Sequence, residues 1–334
     1  MMFKRLLPFL LTGLVLITAC KSDNDETPTP QKTCRLTDSQ SITLYPDNSR
    51  DTITIHYEYN IQGLLVSTKN ISSGIIIYTT NIYNSEGFLT EQKTTTESTN
   101  PGQGIVKYTY IQGKLSRFNT TYESTSYQYT NEFNYNTDGK MTSMIWKGKS
   151  LSNDGSVLGY KDSILYRYTD RKLTEILAYY QRDGLRDYNY HYTVETDEKG
   201  RMLSKSKENG YKIVYQYNAD GELINLKNYY IDLLESYTVY EYDTKKDIET
   251  LINPIPKGHP ANISGEEVYN MTKQISYDKN DYNNSNPTHT LQEYESYLYE
   301  YEYNEQGYPT KKIQKYTYNG QTRITTTTYN ITCQ

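Results

Sequence analysis

Tyr57-Glu58-Tyr59-Asn60-Ile61-Gln62-Gly63-Leu64-Leu65 is the stretch on which the fold turns. In an extended chain successive side chains point to opposite faces, so Tyr57 and Tyr59 share one face while His56 and Glu58 share the other. Asn60 can start a tight turn by bonding its own backbone, and Gly63 supplies the positive φ that the end of such a turn requires. Leu65, two places past the glycine, begins a return strand on the tyrosine face. The nine residues predict a β-hairpin.

The same spacing returns along the chain: aromatic, any, aromatic, Asn or Asp, two residues, Gly, any, aliphatic. Clear copies are Phe133-Asn134-Tyr135 with Gly139 and Met141, Tyr215-Gln216-Tyr217 with Gly221 and Leu223, and Tyr301-Glu302-Tyr303 with Gly307. Weaker copies centre on Tyr83 with Gly87, Tyr110 with Gly113, Tyr166 and Tyr168 with Arg171, Thr196 with Gly200, Tyr240 and Tyr242 with Lys246, and Tyr277. These ten units recur with a mean period of about 27 residues, as in repeat architectures. Where Arg171 or Lys246 stands in place of glycine, the turn must differ or carry strain. Composition agrees: 39 tyrosines against 5 Phe and 1 Trp suit a pleated, half-buried surface. The expectation is an all-β, up-and-down antiparallel meander of about ten hairpins, its tyrosines turned inward as a core, the sheet flattening into two layers or holding a plug or a wet cavity if it closes. Two intervals are long. One holds Asn153-Asp154-Gly155, a further turn between longer strands. The other holds Asn253-Pro254-Ile255-Pro256-Lys257-Gly258-His259-Pro260, whose prolines exclude regular strand and predict an inserted loop.

The amino terminus carries an address. Lys4 and Arg5 precede an apolar run, Leu6 to Ile17, too short for a permanent membrane span but of signal-peptide length. Ile17-Thr18-Ala19-Cys20 then resembles the lipobox of bacterial lipoproteins, which implies cleavage before Cys20 and acylation of its thiol. Residues 1–19 are accordingly expected as signal peptide, 20–33 as a lipidated tether and 34–334 as a single β domain. The run Lys21-Ser22-Asp23-Asn24-Asp25-Glu26, followed by Thr27-Pro28-Thr29-Pro30, cannot bury apolar surface. It resembles the surface-export signal of Bacteroides-type lipoproteins, and a plain soluble tether accounts for it equally. The tyrosine repeat resembles the YD repeats of RHS-type proteins over most of residues 50–330. Together with the lipobox it is similar to a family of uncharacterised lipoproteins whose domain of unknown function is described as porin-like. The implied location is the cell envelope, lipid-anchored to the outer membrane.

Cys34 and Cys333 stand near the two ends of the folded region, and an exported protein sits where disulfides persist. About twenty strands laid flat would span ~95 Å, whereas a disulfide needs Cα atoms within ~7 Å. If the two pair, the sheet must be closed or flattened into a barrel-like form. Closure would also remove exposed strand edges. A membrane-spanning barrel would need an apolar outer band, and the strand faces opposite the tyrosines carry Lys107, Arg167, Glu300 and Glu302 instead.

Catalytic signatures are missing. His56, His191, His259 and His289 are not at metal-ligand spacing, and there is no P-loop and no G-x-S-x-G. Gly102-Gln103-Gly104 lacks the third glycine of a dinucleotide site. Asn134, Asn136, Asp138 and Gly139 mimic the start of a calcium loop, but Ile145 stands where its bidentate acid belongs. The net charge of −5, with both signs interspersed, suggests no nucleic-acid partner. No cofactor, metal or enzymatic activity is expected. Two classes remain: an envelope protein that binds a glycan or other ligand, or a structural component of an outer-membrane assembly, including a porin-like barrel.

Overall fold

The computed structural model describes residues 33–98, 101–122, 128–151, 157–182, 188–252, 269–279 and 291–333. Cys20 and the Pro254–Pro260 stretch lie outside them. Cys34–Cys333 forms one compact unit. It begins with β1 (Cys34–Leu44), β2 (Arg50–Tyr59), β3 (Leu65–Ser72), β4 (Ile75–Tyr83), β5 (Leu89–Glu97), β6 (Gly102–Ile111) and β7 (Lys114–Tyr122). Next come β8 (Gln128–Tyr135), β9 (Met141–Leu151), β10 (Val157–Thr169), β11 (Lys172–Arg182), β12 (Tyr188–Thr196), β13 (Met202–Ser206) and β14 (Tyr211–Tyr217). The chain ends with β15 (Leu223–Tyr230), β16 (Leu233–Lys246), a short helix α1 (Glu249–Ile252), β17 (Tyr269–Lys279), β18 (Leu291–Tyr303), β19 (Pro309–Tyr318) and β20 (Gln321–Cys333).

Each strand pairs antiparallel with the strands before and after it, and β1 pairs with β20, so the meander closes on itself. Twenty strands at ~4.8 Å imply a ring ~30 Å across before strand tilt widens it. Ring pairs between described residues join the same or adjacent strands, as in Phe118–Tyr129 or Tyr297–Tyr316. Tyrosine therefore lines an interior wall, which is the wet-cavity form of the expectation and not the two packed layers. The buried apolar residues are few, and all but Ala178 lie toward one end of the barrel: Cys34, Leu36, Phe88, Leu89, Leu115, Phe133, Val194 and Ile248.

That end is the rim built by the repeat. In its Asn-containing turns the Gly63 amide donates to the Asn60 carbonyl while Asn60 Oδ1 accepts from the Gln62 and Leu64 amides. Asn84 and Asn304 do the same. Gly63 and Gly139 adopt φ of 83° and 78°. A Cβ there would also meet the Arg35 guanidinium or the Lys114 ammonium, but those flexible ends can move aside, so it is the positive φ that demands glycine. In every one of the nine hairpins closed at this rim the register slips by one residue just before the second motif position, at Glu58/Tyr59, Ile82/Tyr83, Thr109/Tyr110 and so on to Glu302/Tyr303. Such bulges bend strands and increase their twist, which is what a barrel rim needs.

Three units depart from the expected turn, the first at Gln112-Gly113, which join β6 to β7 as a two-residue turn with φ of 50° and 75°. Asp170 and Arg171 both take positive φ, 49° and 64°, giving a two-residue turn at a cost of roughly 1–2 kcal/mol per non-glycine residue. Lys246 ends a strand, not a turn: β16 runs on to it and pairs it with Tyr269. The chain then enters α1, which packs against β1 across the rim, with Ile248 buried. Tyr277 lies toward the opposite rim, stacked on Tyr237 at 4.4 Å, and heads no unit. The motif rim thus joins nine strand pairs, and the tenth place is taken by the paired chain ends.

There Cys34 and Cys333 face each other in register and are bonded, S–S 2.02 Å. The sequence around them completes the pattern. Leu36 is wholly buried like Leu115, and a register slip falls at Thr37, whose hydroxyl donates to the Asn330 carbonyl. Thr90, Ser116 and Thr310 bond the carbonyl across their bulges in the same way. The tenth repeat is split between the two ends, with a disulfide where its turn would be.

Candidate functional site

Two constellations of side chains stand out, one structural and one open to a ligand. The first is a ladder of tyrosine hydroxyls around the motif rim. Tyr83 donates to the Leu65 carbonyl at 2.8 Å, Tyr110 to Leu89 at 2.9 Å, Tyr135 to Leu115 at 2.8 Å and Tyr168 to Met141 at 2.9 Å. Tyr217 bonds Met202 at 3.0 Å and Tyr242 bonds Leu223 at 3.1 Å. In each case the second aromatic of one unit reaches the aliphatic residue of the unit before. The residue following the turn glycine packs on the next ring: Phe88 on Tyr110, Lys114 on Tyr135, Lys140 on Tyr168, Arg201 on Tyr217. At the seam Arg35 takes this place over Tyr59. The motif tyrosines are thus joints between repeats, and this half-burial raises their pKa values. Burial pushes Tyr59, Tyr108, Tyr215 and Tyr242 up to about 12, and moves Tyr57, Tyr83, Tyr166 and Tyr168 in the same direction. The ladder breaks where Thr196 replaces tyrosine. It changes hands near β18, where Tyr301 bonds Met271 and Tyr303 bonds Asp243.

The outward, more exposed face carries cross-strand ion pairs. Glu132 holds Arg117 at 3.0 Å and Lys147 at 2.9 Å, Arg167 pairs with Glu175, Lys273 with Glu241, and Lys311 with Glu302. The Lys147 hydrogen bond lowers the Glu132 pKa, against a smaller opposing effect of burial. Such exposed pairs contribute little stability one by one, but they coat the wall with charge.

The second constellation lies on the tyrosine face of β7–β11. Pairing places Phe118 opposite Asn131, Asn131 opposite Trp146, Trp146 opposite Asp162 and Asp162 opposite Tyr180. Five strands thereby contribute one residue each to a straight row. Beside it Tyr129, Gly148 and Tyr160 form a parallel row, and Gly148 leaves the space into which the Tyr160 ring settles. The two rows line a cavity of about 540 Å³ that also touches Ile164. No reading of the linear sequence singled these residues out, because the members stand 13 to 18 positions apart and meet only through strand register.

Among the described residues no group of His, Cys, Asp and Glu could hold a metal ion. Asn134 and Asn136 of the calcium-loop mimic are used by the hairpin: Asn134 bonds Ser143 and Asn136 bonds the Lys140 amide.

No protein-family model matches the chain, and no curated protein does. Solved structures do. One is a porin-like protein from Bacteroides uniformis, 13% identical, covering 89% of this chain and 98% of its own, with a TM-score of 0.35. A porin-like protein from Bacteroides vulgatus is 10% identical over 89% of this chain and 98% of its own, with a TM-score of 0.31. A TcdB2–TccC3–Cdc42 structure matches 61% of this chain but 14% of its own length, at 11% identity and a TM-score of 0.21.

Proposed function

We propose that this protein is a non-catalytic, porin-like barrel of the bacterial envelope, lipid-anchored through Cys20, that works by admitting solutes to its tyrosine-lined interior. The observation that carries the reading is the closed strand order, with hydroxyl-bearing side chains facing in and ion pairs facing out. A wall of that kind encloses a wet lumen while standing in water. A bilayer-spanning barrel needs the reverse, an outward apolar band in place of Arg117, Lys147, Arg167 and Lys311. No helix among the described residues is long and apolar enough to cross a membrane. Acyl chains on Cys20 would supply the attachment that the wall does not.

The sole tryptophan, Trp146, faces the interior and reports on solute entry. Acrylamide should quench its fluorescence in the folded protein, while a quencher coupled to a large dextran should not. Absence of acrylamide quenching would refute an accessible lumen. Attachment is tested separately. Wild-type protein should incorporate labelled palmitate and float with liposomes, and Cys20→Ser should do neither. Conductance from liposomes treated with Cys20→Ser protein would establish the membrane-spanning alternative.

A further inference from the structure

Resting on that reading of an accessible lumen, we infer that the Phe118–Asn131–Trp146–Asp162–Tyr180 row is a binding strip for a neutral oligosaccharide. Its chemistry is that of sugar recognition. A pyranose offers apolar C–H faces and a girdle of hydroxyls, so its receptor needs flat rings for the faces and amide or carboxylate groups between them for the hydroxyls. The row supplies both in alternation: ring, amide, ring, carboxylate, ring. Four strand intervals at ~4.8 Å make it ~19 Å long, room for a short oligosaccharide lying across the strands.

Asn131 gives the independent sign of a missing occupant. Its side chain is only 2% exposed, and its Oδ1 has no hydrogen-bond partner among the described residues. Thr120, two residues beyond Phe118 and opposite Tyr129, leaves a second buried oxygen in the same condition. A buried polar group without a partner is costly and uncommon. Of seven such atoms among the described residues these two lie beside the aromatic row, and Asn131 lines the cavity, where hydroxyl donors arriving with a ligand would satisfy it. The surrounding rings are held in place: Phe118 contacts Tyr108, Tyr129 and Phe133 at centroid distances of 5.9, 6.4 and 6.0 Å, and Tyr180 meets Tyr190 at 5.7 Å. Rings already fixed by neighbours lose little freedom when a ligand stacks on them. The row carries a single acidic group and no basic one, which favours a neutral glycan over an anionic polymer. The cavity is not lined as a greasy slot either, because Asn131 and Asp162 interrupt the rings at every second place.

The test uses the disulfide-bonded protein and four probes: cellohexaose, maltohexaose, xylohexaose and chitohexaose. Each is titrated with Trp146 emission and calorimetry as readouts. At least one should shift the emission and give a saturable heat. Trp146→Ala, read by calorimetry, should weaken that binding about tenfold or more, with Trp146→Phe restoring part of it. Asn131→Ala should weaken it similarly, and Tyr180→Ala serves where Asn131→Ala does not fold. Lys311→Ala, on the outer wall, should bind as wild type. If acrylamide quenches Trp146 but no probe binds, the strip is refuted and the open lumen stands. If acrylamide fails to reach Trp146, both readings fall together. Binding that survives Trp146→Ala and Tyr180→Ala unchanged would move the site elsewhere and refute the strip.

Discussion

The two rims of the barrel are built from the same chain by different means. At the motif rim six connections are four-residue turns that run from Asn or Asp to glycine, each strand pair carries a bulge, and tyrosine hydroxyls tie most units to the one before. At the other rim three described turns are two residues long, Ser73-Gly74, Ile231-Asp232 and Asn319-Gly320, all with positive φ, while Tyr45–Asn48 and Lys207–Gly210 are four-residue turns. Only two of the hairpins closed there show a register slip, β15–β16 and β17–β18. Both rims expose large apolar residues, Ile61 and Ile111 at the motif rim and Ile75, Ile231, Leu233 and Tyr318 at the other, but the buried ones cluster at the motif rim. The difference shows where a barrel with a wet interior keeps its core. With no packed centre, burial is concentrated in a belt at one end, where bulges curl the strands and rings close the gaps between units. The opposite rim is held by its strand ladders together with local contacts such as the Tyr237–Tyr277 stack and the Lys279–Glu235 ion pair.

The contrast can be broken most completely with alkali. Tyr59, Tyr108, Tyr215 and Tyr242 have folded-state pKa values near 12 against about 10 for tyrosine in an unfolded chain. A raised pKa adds stability that is complete below pH ~10 and lost as pH rises through ~12. The barrel should therefore unfold cooperatively within that window, with tyrosinate absorbance and far-UV circular dichroism changing together. Independent titration near pH 10 with strands intact would show that these half-buried tyrosines do not hold the barrel together.

Opening the seam should rank next. Cys34 and Cys333 close a loop with a sequence separation of 299, for which the chain-entropy account gives about 5–6 kcal/mol. Urea unfolding with and without reductant measures it, and a difference below ~1 kcal/mol would assign closure to the β1–β20 ladder alone. A sharper comparison sets one leucine against another. Leu115→Ala, at a wholly buried position of the motif rim, should cost about 2–5 kcal/mol. Leu233→Ala, 63% exposed at the other rim, should stay within ~0.5 kcal/mol of wild type. Equal losses would erase the distinction. The smallest effect belongs to a single rung: Tyr110→Phe leaves the Leu89 carbonyl without its hydroxyl and should cost about 1 kcal/mol, while Tyr318→Phe, 47% exposed, should cost nothing measurable.

Much of this architecture is legible in the chain because its signals are local. Alternation in Tyr57-Glu58-Tyr59 and a glycine four places on from Tyr59 specify a hairpin without reference to anything distant. Repetition of that unit specifies a meander. The places where reading fails are those where local chemistry is ambiguous. Tyr277 has the look of a motif tyrosine, yet its strand runs toward the other rim. Lys246 stands at the glycine position but continues a strand, because the chain beyond it is long enough to need no tight turn. The role of the tyrosines was half visible: their face was clear, but nothing in the order of residues says that each hydroxyl reaches back to the preceding unit. The aromatic row was invisible altogether, since Phe118, Asn131, Trp146, Asp162 and Tyr180 become neighbours through four separate strand registers.

The split tenth repeat has a consequence for the order of the chain itself. A ring of ten equivalent units has no intrinsic first member, and its starting point is set only by where the turn is missing. Joining Cys333 to Cys34 through an Asn-x-x-Gly turn, and cutting instead between β3 and β4 at Ser73-Gly74, should give a circular permutant with the same strand neighbours throughout. In that rearranged molecule the clasp becomes an ordinary turn, and the disulfide, no longer needed to hold two ends together, becomes dispensable.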